Sequence, residues 1–128
     1  MENITNAQSN SQFDSILSLT PEDLLSWLQD NFMEDIPTSV TSVEELKKAG
    51  EMLGKLTNIY SYLVSMSLFA KLKIREARKN KDDKEEIDKC VDRKEIISSF
   101  ADTIKCQYNA ISRMITVKKQ IDDEMKMI

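Results

Sequence analysis

The stretch from Ile59 to Lys79, "IYSYLVSMSLFAKLKIREARK", decides the fold because it is long, regularly apolar and free of glycine and proline. Its apolar positions alternate between four-residue and three-residue spacing, the heptad pattern of a helix that packs against another helix. The pattern predicts one helix from about residue 42 to 79, roughly 55 Å long. The seam consists of Ala49, Leu53, Leu56, Tyr60, Leu63, Ser67, Ala70, Ile74 and Ala77.

A second long helix is predicted from about residue 83 to 126, after the short polar turn "KNKDD". Because short links join antiparallel neighbours, the two helices should form a long, coiled-coil-like hairpin over residues 42–128, in one domain. A turn centred near residue 82 places Leu63 level with Ala101. The fold class is therefore all-α. The seam of the second arm consists of Ile87, Cys90, Lys94, Ile97, Ala101, Ile104, Tyr108, Ile111 and Ile115.

The apolar pattern changes near the end of the second arm. Beyond Ile115 the strict heptad register places Lys118 and Asp122 inside the hairpin. Such a shift is typical of a point where a helix pairing ends or a partner changes. The apolar residues move instead to Val117, Ile121, Met125 and Ile128.

The residues before the hairpin divide into a tail and a helical segment. Residues 1–12 are polar and aperiodic, which predicts a disordered tail. Residues 13–36 form an acidic helical segment, in which Thr20 caps a short helix and Pro21 takes its first position. Ser42 and Glu45 have the spacing of a capping box, which predicts the start of the first long helix.

The composition argues against an enzyme. The chain has no histidine, which removes the commonest general base, the commonest metal ligand and every Ser-His or Cys-His pair. The closely spaced carboxylates of the second arm alternate with lysines and arginines, so surface salt bridges are expected rather than a metal site. They are Glu85, Asp88, Asp92 and Glu95. We expect no cofactor, metal or small-molecule ligand.

Cysteine usage and hydropathy predict a cytoplasmic protein. Cys90 and Cys106 lie about 24 Å apart on one helix, too far to form a disulfide within the chain. Two reduced cysteines suit a reducing compartment. No basic segment precedes an apolar core, and the uncharged run Leu56–Ala70 is shorter than the roughly 18 residues of a membrane span. We expect no contact with a membrane.

Charge is unevenly distributed and marks two candidate binding surfaces. Residues 1–45 hold nine acidic and no basic side chains, whereas residues 46–81 hold nine basic and two acidic ones. The acidic head is a candidate surface for a basic groove on a partner protein, with two aromatic anchors. It comprises Glu22, Asp23, Trp27, Asp30, Phe32, Glu34 and Asp35. The basic run is a candidate for an acidic protein or, as second choice, a nucleic acid. It comprises Lys71, Lys73, Arg75, Arg78, Lys79 and Lys81.

Apolar residues outside the two seams predict self-association. A short N-terminal helix covers less than half of a 55 Å shaft, and large apolar side chains left in water favour aggregation. A homodimer that packs hairpin on hairpin would cover them. In the alternative, residues 13–36 fold back and close a monomeric bundle. The predicted self-association residues are Met52, Ile59, Met66, Phe69, Phe100 and Met114.

Two segments, "NIYSYLVSMSLFAKLKIREA" and "SSFADTIKCQYNAISRMITVKKQIDDEMKM", carry a resemblance to a known group of proteins. Through the Tyr-Ser-Tyr-Leu and Ile-Ser-Arg-Met patterns, residues 45–128 resemble small helical proteins from early gene modules of phages and prophages of low-GC Gram-positive bacteria. The resemblance implies expression inside a bacterial host, near replication, recombination or counter-defence genes. It implies no activity for particular residues.

The sequence therefore favours a non-enzymatic, macromolecule-binding protein, with three alternatives. The first is a protein-interaction module, or an inhibitor of a host or defence nucleoprotein complex, that acts through the acidic head. The second is a nucleic-acid-associated accessory factor of phage replication or recombination that acts through the basic run. The third is a purely structural helical oligomer.

Overall fold

The computed structural model describes residues 12–127, which fold as an all-α helical hairpin preceded by a short helix. The helices are α1 (Pro21–Phe32), α2 (Val43–Lys79) and α3 (Lys84–Lys126), and residues 12–16 add a helical turn before α1. The predicted fold class is confirmed, and both ends of each long helix agree with the prediction to within about one residue. The tail predicted over residues 1–12 lies, except for Gln12, outside the described residues.

The ends of α1 follow from local chemistry. Thr20 is extended, and its hydroxyl accepts a hydrogen bond of 3.2 Å from the backbone N–H of Asp23, as an N-cap residue should. Pro21 occupies the first position, where the missing N–H has no helical acceptor. At the other end Met33 returns to extended backbone, which is compatible with the approach to Pro37.

The start of α2 is a capping box with an additional donor. The Glu45 N–H donates to the Ser42 hydroxyl (3.1 Å), and the Glu45 carboxylate accepts from the Ser42 hydroxyl (3.3 Å). The same carboxylate oxygen accepts from the N–H and the hydroxyl of Thr41, at 3.1 and 2.7 Å. These hydrogen bonds favour the ionised carboxylate and lower the pKa of Glu45, with the Thr41 hydroxyl as the largest cause.

This cap should make the start of α2 sensitive to acid. Because the folded pKa of Glu45 is below the ordinary value of 4.5, its contribution to stability is present above pH 4.5 and is lost as the pH falls through the folded value. We expect Glu45→Gln to remove this part of the pH dependence of unfolding, as measured by denaturant titration between pH 3 and 7. A Glu44→Gln control should leave it in place, and equal effects from both variants would contradict the assignment.

The turn between α2 and α3 is a Schellman motif that uses lysine where glycine is usual. The N–H of Asp82 donates to the carbonyl of Ala77 (2.9 Å), and the N–H of Lys81 donates to that of Arg78 (3.1 Å). Lys81 has φ of 57°, in the left-handed region. Polar groups at the end of α2 are therefore satisfied within the turn, and the chain reverses in four residues.

The chain groups into two compact units, and each long helix contributes to both. In the first unit, residues 12–33 and Tyr62–Ala101, the seam residues Leu63, Ala70 and Ile97 are buried. The hydroxyls of Ser67 and Ser98 lie 3.1 Å apart across the two helices, in agreement with the predicted register. In the second unit, Glu34–Ser61 and 102–127, the buried residues are Val40, Ala49, Leu56, Ile59, Ile104 and Ile111.

Residues 12–19 pack on the hairpin within the first unit. The Phe13 ring lies 5.3 Å from the Tyr62 ring and 5.7 Å from that of Phe69, between ring centroids. Asp14 forms a 2.7 Å ion pair with Lys73 on α2. On α3, the Arg93 side chain donates a 2.7 Å hydrogen bond to the backbone carbonyl of Leu19. Aromatic packing and one polar contact to each arm therefore hold the segment in place.

The burial of individual side chains bears on the predicted self-association surface. Met66 is fully buried, and Ile59 and Phe100 are buried as well, all within the single chain. These three residues therefore cannot form a dimer surface in this fold. Met52, Phe69 and Met114 are only half-buried. The contacts of Phe13 and Asp14 with α2 agree with the alternative in which residues 13–36 fold back on the hairpin. The homodimer itself stays a prediction.

Candidate functional site

A groove of about 620 Å³ lies between α2 and α3 in the first unit. It combines apolar and basic side chains. Three of the four apolar lining residues lie on α2, and the fourth lies on α3. One acidic residue contributes to its rim. The lining consists of Leu68, Lys71, Leu72, Ile74, Arg75, Arg78, Val91, Lys94 and Glu95.

Helix geometry explains which residues reach this groove. Successive residues of an α-helix turn by about 100°, so the two flanks of the α2 seam carry different side chains. One flank, with Tyr62 and Phe69, packs against the N-terminal segment. The opposite flank carries Leu68 and Leu72, one turn apart and both exposed.

The apolar part of the groove is open. Leu68 is 57% exposed and Leu72 is 52% exposed, although both lie in the middle of an ordered helix pair. Val64, one turn earlier, is also exposed, whereas Ile74 is buried. Three exposed apolar residues at i, i+4 and i+8 form the kind of ridge that a partner helix can contact.

The charged part of the groove is strongly basic, with four cations and one carboxylate among its lining residues. Among residues 12–127, the lining cations form no ion pair; they are Lys71, Arg75, Arg78 and Lys94. Asp82 and Asp83, which follow the basic run in the turn, likewise form none in that part of the chain. The groove therefore presents free cations next to uncovered leucines.

The structure separates the predicted basic run into two faces. Lys71, Arg75 and Arg78 lie at the groove, and Lys79 and Lys81 are exposed at the turn. Lys73 is on the other side of α2, paired with Asp14 at 2.7 Å and placed 5.3 Å from the centre of the Phe69 ring. The hydrogen bond to Asp14 is the main cause that raises the pKa of Lys73. Lys73 therefore helps to hold the N-terminal segment on α2, and its role as a binding residue stays a prediction.

The acidic head keeps exposed carboxylates but uses its aromatic residues internally. Glu22, Asp23 and Asp30 are exposed on α1. The Trp27 ring packs edge-on against the Phe32 ring at 5.5 Å, and Phe32 packs against Tyr62 at 5.6 Å. Both proposed anchors are half-buried in an aromatic cluster of the first unit. In the second unit, Asp35 is exposed and Glu34 forms a 2.7 Å ion pair with Lys55.

A second cavity of about 500 Å³ lies in the first unit, and its cationic side chains have partners within the chain. Asp14, Lys73, Glu86, Cys90 and Arg93 are among its lining residues. Both cations there have partners, the Asp14 carboxylate and the Leu19 carbonyl. Its polar groups therefore hold the N-terminal segment on the hairpin, and the groove on the opposite flank is the better candidate for a ligand.

Two further features of the described chain bear on the sequence predictions. Glu85 forms an i,i+4 ion pair with Lys89 at 3.8 Å, the kind of pairing predicted for the carboxylates of α3. Within residues 12–127, no group of three or more Asp, Glu, Cys or His side chains has an arrangement that could hold a metal ion.

Sequence reasoning missed Leu68, Leu72 and Val64 because it followed the seam and only one of its flanks. The signal was present in the i, i+4, i+8 spacing of these residues, which reaches the basic run at Leu72, between Lys71 and Arg75. What the pattern alone could not decide was which flank the N-terminal segment covers.

Fold and site together define the class as a helical hairpin that has a basic, partly apolar groove. Comparisons with protein-family models, with curated proteins and with solved structures give no match for this chain. Over residues 12–127, none of the helices has the length and apolar character needed to cross a membrane.

Proposed function

We propose that this chain is a non-enzymatic protein-binding module whose groove takes an acidic amphipathic helix of a partner protein. The observation that carries the proposal is the pair of half-exposed leucines, Leu68 and Leu72, beside free cations in an ordered helix pair. The proposal keeps the protein-interaction function that the sequence favours and moves it from the acidic head to the groove.

The chemistry of the groove selects the partner. Apolar residues one helical turn apart match the apolar stripe of an amphipathic helix. Arg75 and Arg78 can pair with carboxylates in bidentate geometry, which lysine cannot do. Opposite charges on the two surfaces would speed association and fix the orientation of the partner.

A nucleic acid fits the same groove less well. Phosphate backbones are bound by cations and polar groups, and the two leucines would lie against charged phosphates without an apolar partner. No aromatic residue lines the groove, so bases have no ring on which to stack. Nucleic-acid binding is therefore an outcome that the experiment must distinguish.

The test uses two synthetic helical peptides that share leucines at i and i+4 and differ in their flanking residues, glutamate in one and lysine in the other. We expect the wild-type chain to bind the glutamate peptide with micromolar affinity, as measured by fluorescence anisotropy. Leu68→Ser/Leu72→Ser and Lys71→Glu/Arg75→Glu should each weaken binding by about tenfold or more, because each removes central contacts.

The matched control reverses the charge of one arginine and one lysine outside the groove. It is Arg113→Glu/Lys119→Glu, at exposed positions of α3. It should bind the glutamate peptide like the wild type. Equal binding of both peptides would refute the proposed groove site, and so would a loss of binding in the control as large as in the groove variants. Binding to a 20-nucleotide single strand or duplex that is tighter than peptide binding and lost in Lys71→Glu/Arg75→Glu would favour the nucleic-acid function instead.

The resemblance to phage early-module proteins adds an expectation about the setting of this interaction. If the chain is phage-encoded, its partner is a protein of the bacterial host or of the phage itself. Inhibition of a host or defence nucleoprotein complex is one form that such binding takes. Exposed Glu22, Asp23 and Asp30 keep the acidic head as a second candidate surface, which the groove variants leave unchanged.

A further inference from the structure

A third cavity, of about 370 Å³, lies between α2 and α3 within the second unit. Its volume is at the lower end of the range of about 300–1,000 Å³ that is usual for small-molecule sites. Two tyrosines, two aliphatic residues and three other polar residues surround it, and none of these described lining residues is acidic. The lining consists of Leu56, Thr57, Tyr60, Ile104, Lys105, Tyr108 and Asn109.

Tyrosines at two seam positions explain why the helix pair is open at this level. The predicted register places Tyr60 level with Ile104, and Leu56 level with Tyr108. Leu56 and Ile104 are fully buried, whereas Tyr60 is half-buried and Tyr108 is 37% exposed. A tyrosine hydroxyl needs a hydrogen-bond partner or water, so the tyrosines do not close the seam as aliphatic side chains would. The two aliphatic residues therefore form the floor of the cavity, and each helix contributes one tyrosine.

The two tyrosine rings are available to a ligand. Tyr60 and Tyr108 line the same cavity, but neither ring contacts another aromatic ring within residues 12–127. Aromatic rings pair favourably when their centroids lie about 4.5–7 Å apart, in offset or edge-to-face geometry. A planar aromatic group in the cavity can make such contacts and also bury its apolar surface on the aliphatic floor. The lining therefore favours an aromatic ligand over an aliphatic one.

The charge at the cavity favours an anionic group on that ligand. Lys105 is exposed and forms no ion pair within residues 12–127. Asn109, one turn further along α3, is also exposed, and its amide can donate a hydrogen bond. The Thr57 hydroxyl donates to the Leu53 carbonyl at 2.8 Å, so its donor is already used within α2. Lys105 and Asn109 are therefore the donors for an anion.

We propose that this cavity binds a small aromatic carboxylate, with its ring against Tyr60 and Tyr108 and its carboxylate at Lys105 and Asn109. The site departs from the expectation, drawn from the sequence, that the chain has no small-molecule ligand. It lies in the second unit and shares no residue with the groove, so it is independent of the proposed function.

Methyl NMR of the full chain tests the site with naphthoate as the probe. Naphthamide, which has the same ring and no charge, is its matched control. We expect naphthoate to shift the signals of the Leu56 and Ile104 methyl groups with a Kd on the order of 0.1–1 mM, since the probe has few atoms. Naphthamide should bind about threefold more weakly or less, because it cannot pair with the Lys105 ammonium.

Three results of this titration would overturn the proposal. The first is the absence of a saturable shift up to about 10 mM naphthoate. The second is equal binding of naphthoate and naphthamide. The third is a set of shifts at the Leu68 and Leu72 methyl groups instead, because it would place the probe in the groove.

Exchange of a single lysine tests the charge. Lys105→Gln should weaken naphthoate binding by about threefold or more and leave naphthamide binding unchanged, because the amide keeps the length of the side chain and removes its charge. The matched control is Lys119→Gln, at an exposed position of α3 outside the cavity, and it should bind naphthoate like the wild type. The same loss of binding in both variants would show a response to net charge alone and would contradict the site.

Exchange of a single tyrosine tests the ring. Tyr108→Ser should weaken the binding of naphthoate and naphthamide alike, by about tenfold, whereas Tyr108→Phe keeps the ring and should retain most of the binding. Circular dichroism must show wild-type helicity for Tyr108→Ser, and Tyr60→Ser replaces a variant that loses it. Unchanged binding in the serine variant would refute the aromatic contact. Adenosine monophosphate that shifts the same methyl groups and binds more tightly than naphthoate would overturn the carboxylate in favour of a nucleotide.

Discussion

Replacing Leu63 with alanine is expected to lower the free energy of unfolding by about 2–5 kcal/mol. Leu63 is fully buried in the seam of the first unit, between the two arms of the hairpin. Removal of its side chain leaves a cavity that neighbouring side chains on two long helices fill only in part. Denaturant unfolding followed by circular dichroism measures the change, and a loss of that size is a large share of the 5–15 kcal/mol of a typical domain.

The control for this prediction is the same substitution at Leu68, on the same helix. Leu68 is 57% exposed, so Leu68→Ala should change stability by no more than about 0.5 kcal/mol. Helix propensity cancels between the two variants, because both exchange leucine for alanine in the interior of α2. Equal losses of stability in Leu63→Ala and Leu68→Ala would mean that Leu63 is not buried more deeply than Leu68.

Replacing Phe13 with alanine is the second large effect, with an expected loss of about 3–5 kcal/mol. Phe13 is buried although it lies in the short segment before α1, and its ring packs against those of Tyr62 and Phe69. In the native fold, burial raises the pKa of Tyr62. The same variant should expose Tyr62 and bring its pKa down towards the ordinary value. Denaturant unfolding and the ultraviolet titration of tyrosine measure the two effects.

The neighbouring ion pair supplies the control for Phe13. Asp14→Asn removes the contact to Lys73, but the ion pair lies at the surface, with the Asp14 side chain 53% and the Lys73 side chain 38% exposed, so the expected loss is below about 1 kcal/mol. A loss below 1 kcal/mol for Phe13→Ala as well would show that residues 12–19 do not pack on the hairpin. In that case Tyr62 and Phe69 would lose the Phe13 ring, and this flank of α2 would be open to a partner.

The long helices could be predicted because their signals are local and agree with one another. Seam residues such as Leu56, Leu63 and Ile104 recur at heptad spacing, and each is buried in the structure. Thr20 and Ser42 have the side chains that cap a helix, and both accept the expected hydrogen bond. Heptad spacing and helix capping involve residues only a few positions apart, so both signals can be read directly from the sequence.

The surfaces could not be predicted in the same way because they depend on which flank of the hairpin is covered. Met66 and Leu68 are both apolar and lie on opposite sides of the seam, so composition does not rank them. The structure buries Met66 and leaves Leu68 exposed, since Phe13, Asp14 and Leu19 make their contacts on one flank. That choice depends on contacts between residues that are 49 to 74 positions apart in the sequence.

At the end of α3 the sequence shows a shift of the apolar pattern, but only the structure shows which residues stay at the seam and which are exposed. A shift from Ile115 to Val117 and Ile121 is visible in the residues alone. Whether the hairpin follows the shift or keeps its register depends on the pairing of Lys118 with Asp122. The register is kept, and the shifted residues are left on the surface.

The central claim is that the chain covers one flank of α2 with its own N-terminal segment and leaves the other flank open as a binding groove. Methyl NMR of the chain at low concentration in the presence of a soluble paramagnetic agent tests it most directly, residue by residue. The account predicts strong relaxation of the Leu68 and Leu72 methyl groups and weak relaxation of those of Leu63 and Met66. Strong relaxation of Met66 with protection of Leu68 and Leu72 would contradict it.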